Sequence, residues 1–215
     1  MNFEKFTSSK FFEFCESLYI IFIVNLLTIF ISVFTLGIAM LPALVAAFYC
    51  LKEVKNPQLK IMRYYFQKFR DNFQASCFLN IVMLMIAALI GLSLWFYIEN
   101  NANWLENVGF YAMAFFALLY VLIYIYLPLS FIYLADMNSP QKVVFSFYFA
   151  LSNILNTLLL LIILIGVILL LIYALPIFLI IGVGGYCFIV LKVSELKMNK
   201  HQLIYEEFNK GEENE

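Results

Sequence analysis

Residues able to do acid–base or nucleophilic chemistry are few in this sequence, and their spacing builds none of the usual devices. The 215-residue chain has one histidine, His201, in a polar C-terminal stretch. A Ser/His/Asp or Cys/His nucleophile system would have to work there, outside the apolar part of the chain, and the H-E-x-x-H zinc pattern is absent. Cys15, Cys50, Cys77 and Cys187 form no C-x-x-C and have no nearby histidine, so they read as small apolar packing residues. Gly182, Gly184 and Gly185 lie inside an apolar run with no following lysine. They suit close helix approach and not a phosphate loop. No acidic pair lies within an apolar run to act as general acid and base. The expectation is therefore no catalytic residue, no cofactor, no metal site and no enzymatic activity.

Uncharged polar residues inside apolar runs are the remaining candidates. Asn25, Thr28, Ser32 and Thr35 recur at three- and four-residue spacing, which places them on one helical stripe. Asn153 and Asn156, with Thr157, form a second group, and Ser76 with Asn80 a third. Tyr120, Tyr124 and Pro128 share part of another helix. Such stripes serve either as interhelical glue, at about 1 kcal/mol per hydrogen bond, or as contacts along a solute path.

The elements that must carry these residues follow from hydropathy. The chain is 65% hydrophobic and only 13% charged, against roughly a quarter charged in soluble domains. Its fold class is all-α: a polytopic transmembrane helix bundle of five to six membrane segments. Four apolar runs lie between charged residues: Ser17 to Leu51, Asn72 to Ile98, Asn107 to Ala135 and Val143 to Leu191. A crossing takes about 20 residues, so the second and third runs each cross once. The fourth must cross twice, with Pro176 as the break. The first run is too long for one straight crossing and short for two. A break at Thr35-Leu36-Gly37 favours a hairpin whose returning leg is tilted or re-entrant. The expected segments are 18–34, 38–54, 75–98, 109–134, 150–173 and 177–192, forming one membrane domain over 1–198 with a polar tail over 199–215. Ala39, Ala43 and Ala47 repeat every fourth position on the returning leg, again suiting close packing.

Charge sets the expected orientation. Six of the thirteen basic residues fall between Lys52 and Arg70, whereas the linker from Glu99 to Glu106 holds two acids and no base. The positive-inside rule then puts the basic stretch and the C-terminus in the cytosol. With the hairpin, Lys5 and Lys10 join them; with a single first crossing those two lie outside. Asn56-Pro57 and Ser139-Pro140 each place a cap before proline and should start cytosolic helices. Over 57–73 the pattern is amphipathic. Leu59, Met62, Tyr65, Phe66, Phe69 and Phe73 share one face, opposite Lys60, Arg63 and Arg70, which predicts a basic interfacial helix. Lys60, Arg63, Lys68 and Arg70 are the candidate contacts to anionic headgroups or a partner. The chain has no basic block of the kind that nucleic acid needs, so the lipid bilayer is the expected partner.

Several motifs occur in a familiar order: Phe11-Phe12, Asn25-Leu26-Leu27, TLGIAMLPALVAAFY from Thr35, MRYYFQKFRDNFQAS from Met62 and YLPLSFIYLADMNSPQKV from Tyr126. From Lys10 to Lys197 the chain thereby resembles the YesL family of bacterial membrane proteins, whose molecular function is unknown. It departs from the family's turn, where proline often follows the glycine closely, because four residues separate Gly37 from Pro42. The resemblance implies a multi-pass protein of the bacterial plasma membrane with an accessory or assembly role in carbohydrate uptake, with sugar ABC importer permease subunits as partners. The alternative is a small sugar transporter acting on its own. The family supplies no binding residues to carry over.

Overall fold

The computed structural model describes residues 10–54, 60–100 and 108–212. Among these residues the chain forms seven helices and no strand: α1 (Lys10–Phe34), α2 (Met40–Lys52), α3 (Ile61–Asn100), α4 (Val108–Tyr133), α5 (Ser139–Ser152), α6 (Ile154–Tyr173) and α7 (Leu175–Glu212). Five of them contain stretches long and apolar enough to cross a membrane: Cys15–Phe34, Ile61–Asn100, Val108–Tyr133, Ile154–Tyr173 and Leu175–His201. The protein is a polytopic helix bundle, and its sixth apolar helix, α2, is a different kind of element.

The first run breaks where its sequence demands. Leu36 and Gly37 both adopt left-handed backbone, with φ of 49° and 82°. The Gly37 amide donates to the Ser32 carbonyl at 2.7 Å and the Leu36 amide to Val33 at 3.1 Å, which is the pairing of a Schellman helix end. Leucine occupies the left-handed position that glycine usually fills, a strain of about 1–2 kcal/mol. The Thr35 hydroxyl donates to the Ile31 carbonyl and accepts from the Ala39 amide, closing the turn into α2. Pro42 then falls in the first turn of α2, where a missing N–H costs nothing.

At 13 residues, α2 is roughly 20 Å long, too short to cross the hydrocarbon core. It is nonetheless the hub of the bundle, packed against α1, α3, α4 and α7. Every residue from Leu41 to Leu51 except Tyr49 is buried. Ala43, Ala46 and Ala47 are fully inaccessible, because only a methyl group fits where four helices converge. The turn before α2 meets α3 at Asn80, the middle of a 40-residue helix and so about 30 Å from either end. The returning leg is thus re-entrant in form, with its turn docked halfway along a neighbour.

Three expected boundaries move. The interfacial helix expected over 57–73 and the crossing expected over 75–98 are one helix, α3, because no proline and no glycine other than Gly91 interrupts Ile61–Asn100. Within it, Tyr65 is buried and Phe69 packs on the protein core, while Met62, Phe66 and Phe73 stay exposed. The apolar face thus serves protein contacts as well as lipid. The Asn56-Pro57 cap and Leu59 lie outside the described residues. The segment expected to run unbroken from 150 instead breaks at Asn153, between α5 and α6. Its cap is Asn138, one residue before the expected Ser139, and the Gln141 side chain accepts from the Asn138 amide at 2.9 Å. The crossing expected over 177–192 and the polar tail are likewise one helix, α7, which carries on through Gly211 to Glu212.

Candidate functional site: a clamped hairpin and a basic platform

Inside hydrocarbon every backbone group at a break must find a protein partner. Asn80 meets that demand at the hairpin break, and Asn25 uses the same device against the unbroken helix α7. Asn80 on α3 donates both amide protons to the hairpin turn, to the carbonyls of Gly37 and Ile38, each at 2.8 Å. Its Oδ1 accepts from the Tyr124 hydroxyl of α4 at 2.9 Å. Asn25 on α1 does likewise to α7. It donates to the carbonyls of Phe178 at 3.1 Å and Leu179 at 2.6 Å, and its Oδ1 accepts from the Gly184 amide at 2.8 Å. Both asparagines are fully buried. Gly184 permits the second clamp by having no side chain, since a Cβ there would lie 2.6 Å from the Ile21 carbonyl oxygen.

Between the asparagines lies a third bridge. The Thr28 hydroxyl donates to the Val24 carbonyl at 2.8 Å. The Tyr65 hydroxyl donates to the Ala43 carbonyl and shares a hydrogen bond with Thr28 Oγ1, each at 3.1 Å. Tyr65 thereby joins α1, α2 and α3 at one atom.

The polar stripe expected on the first helix is divided between these duties. Asn25 and Thr28 bind other helices, Thr35 closes the hairpin turn, and Ser32 is half-buried with its carbonyl in the helix cap. The second group forms its own knot. Thr157 donates to the carbonyls of Ala150 and Asn153, both at 2.9 Å, and meets the Tyr126 hydroxyl at 3.0 Å. The buried Asn153 side chain donates to the Phe149 carbonyl, and Asn156 is half-buried beside it. Thr157 pins α4 to the α5–α6 break, whereas Asn25 ties α1 to α7 and Thr28 ties it to Tyr65 of α3.

The basic candidates gather at one end of the bundle. Lys60, Arg63 and Arg70 are exposed, and Lys68 is half-buried, 3.9 Å from Asp71 and over the rings of Tyr49 and Tyr64. Two lysines absent from the expected set complete this end. Lys52 lies over Tyr133 at 4.2 Å and Lys142 over Phe131 at 4.4 Å. In each the ammonium itself sits over the aromatic face, a cation–π contact. Lys142 is buried and donates to the Ala135 carbonyl at 3.1 Å. Burial pulls its pKa below the ordinary lysine value, with Asp136 opposing. His201 packs edge-on against Phe145, Tyr148 and Phe149, tying α7 to α5.

The spacing of polar residues pairs Asn80 only with Ser76, and the amphipathic pattern puts Tyr65 on the apolar face, so neither contact is legible in it. The available signal was the hairpin itself. Too short to cross and turned at Gly37, it had to leave carbonyls at membrane depth, and a neighbouring amide or hydroxyl had to meet them.

Residues 21–94 match a family described as "Protein of unknown function, DUF624". No curated protein and no solved structure matches the chain. The DUF624 match runs from the middle of α1 through the hairpin to near the end of α3. It contains Asn25, Thr28, Tyr65 and Asn80, together with the exposed bases of α3, while Tyr124 and Gly184, which answer two of these residues, lie beyond it.

Proposed function

We propose that this membrane protein is a non-enzymatic accessory subunit that supports another membrane assembly, docking through its basic platform. The observation that carries this reading is a division of labour. The buried asparagines and Tyr65 spend their hydrogen bonds inside the bundle, while Lys60, Arg63 and Arg70 stand exposed together at one end. The platform faces the cytosol of a bacterial cell by the positive-inside rule, with the C-terminus on the same side. The resemblance to the YesL family over Lys10 to Lys197 suggests the partner: the permease subunits of a sugar ABC importer.

Gentle solubilisation and affinity purification test this. The permease subunits should co-purify with the wild-type chain, and Lys60→Glu, Arg63→Glu and Arg70→Glu together should reduce their recovery severalfold at unchanged abundance. Normal sugar uptake in a deletion strain, with no permease recovered, would remove the accessory role. The rival reading, an independent sugar transporter, has weaker support, because the cavity among α2, α4, α6 and α7 is lined almost wholly by apolar side chains. A polyhydroxyl solute finds few hydrogen-bond partners there. Sugar flux into liposomes containing only this protein would reverse that preference.

A further inference from the structure

The outward face of α3 carries side chains in the order of the layers of a membrane leaflet. Arg70, Gln74, Phe78 and Ile81 follow one another at helical spacing, so they form one stripe, and all four are exposed. Tyr65, Leu79 and Met83, which α3 buries in the bundle, lie on the far side of the helix. Neither Arg70 nor Gln74 has a hydrogen-bond or ion-pair partner among the described residues, and the neighbouring carboxylate, Asp71, faces Lys68 at 3.9 Å.

Three helices fix the depth of this stripe. Asn80 meets both the hairpin turn and Tyr124, which sets one level on α2, α3 and α4. Arg70 is ten positions from Asn80 along α3, and Leu134 ten positions from Tyr124 along α4, so each lies about 15 Å nearer the basic end. Lys52, twelve positions beyond Met40 on α2, lies about 18 Å nearer that end. Contacts of Lys68 with Tyr49, and of Tyr49 with the Phe131 carbonyl, join the three helices there. Charge begins on all three at this level, with Arg70, Lys52 and Asp136. The polar rim of the bundle therefore passes through Arg70. Gln74 lies about 6 Å deeper, and Phe78 and Ile81 deeper still. An exposed amide below the rim meets little water and calls for a polar partner.

We propose that this stripe seats one anionic phospholipid of the leaflet at the basic end. The Arg70 guanidinium donates two hydrogen bonds to the phosphate, the Gln74 amide donates to an ester carbonyl one layer down, and an acyl chain lies along Phe78 and Ile81. Charge, amide and hydrocarbon thus meet phosphate, ester and chain. Exposed Arg63, seven positions from Arg70 and about 10 Å further toward water on the same face, adds positive potential. That favours a lipid of net negative charge over a zwitterionic one. The inference assigns Arg70 to lipid and leaves Lys60 and Arg63 to docking. It does not rest on the accessory role proposed above, because lipid binding is read on the purified chain alone.

Native mass spectrometry of the detergent-solubilised full-length protein tests it, with phosphatidylglycerol and phosphatidylethanolamine of matched chains as probes. One phosphatidylglycerol should bind about fivefold or more tightly than phosphatidylethanolamine. Arg70→Gln should weaken phosphatidylglycerol binding about fivefold, the worth of one base at a membrane surface. Arg70→Lys should fall between that variant and wild type, because it keeps the charge and loses the paired hydrogen bonds. Gln74→Leu should weaken binding about two- to threefold, whereas Lys60→Gln, further into water, should change it less than about twofold. Should Arg70→Gln lose the wild-type size-exclusion profile, Arg70→Lys and Gln74→Leu carry the test. Equal affinity for the two lipids would overturn the anionic headgroup. Equal losses from Lys60→Gln and Arg70→Gln would mean diffuse attraction and would overturn the seat. Lipid binding untouched by Arg70→Gln, with permease recovery lost, would give the stripe to a protein partner and overturn the proposal as well.

Discussion

Helices α2 and α6 are both strongly apolar, yet they live in opposite surroundings. In α2, ten of thirteen residues are buried, whereas in α6 only Thr157 and Leu160 are, out of twenty. Hydropathy does not separate them, because lipid tails are as apolar as a protein core and reward leucine equally in either place. What separates them is size. Helix α2 carries Ala43, Ala46 and Ala47 and follows a turn pinned by Asn80, while α6 is almost uniformly leucine and isoleucine. Small residues let neighbouring backbones close in, and the closeness then supports dispersion contacts and hydrogen bonds that large lipid-facing side chains would prevent. The hub of this bundle is built from what its side chains lack.

The contrast can be broken most severely at Gly184, where α7 meets α1. Gly184→Val should cost about 3 kcal/mol or more, since its new atoms would overlap the Ile21 carbonyl and the Asn25 side chain, and the backbone has to move to relieve that. The expected readout is a large fall in the unfolding midpoint in detergent. A midpoint equal to wild type would mean that the α1–α7 contact does not bear on stability.

Next in size is Asn80→Leu, which strips two carbonyls of the turn and the Tyr124 hydroxyl of their partner. Its expected cost is about 2 kcal/mol, together with faster amide exchange around Gly37. Unchanged exchange at the turn would show that Asn80 does not hold it.

Leu36→Gly acts in the opposite direction. Leu36 is 89% exposed and left-handed, so glycine gives up little burial and relieves the strain, for a net gain of about 0.5 kcal/mol after its greater unfolded-state entropy. A lower midpoint would instead assign the Leu36 side chain a contact of its own.

The smallest effect belongs to the lipid-facing side of the comparison. A Cβ at Gly166 in α6 meets nothing within 4 Å. Gly166→Ala should leave the midpoint unchanged or raise it by less than about 1 kcal/mol in equivalent stability. A marked loss there would place α6 against a partner and not against lipid.

The helical class, the apolar segments, the breaks at Thr35 to Gly37 and near Pro176, and the collection of bases at one end are all legible in the residues. These follow from local rules, since bilayer thickness fixes segment length, glycine and proline mark breaks, and charge stays near water. Tertiary structure alone decided that α2 is the buried hub, that α3 and α7 continue unbroken from span into polar extension, and that Asn80, Tyr65 and Gly184 answer groups 22 to 159 positions away. A hydrogen bond across that separation leaves no period in the sequence, and an asparagine reads alike whether it faces a solute, a lipid or an orphaned carbonyl. In an apolar solvent, which wall a side chain meets is a matter of packing, and packing is settled only when all the helices are in place.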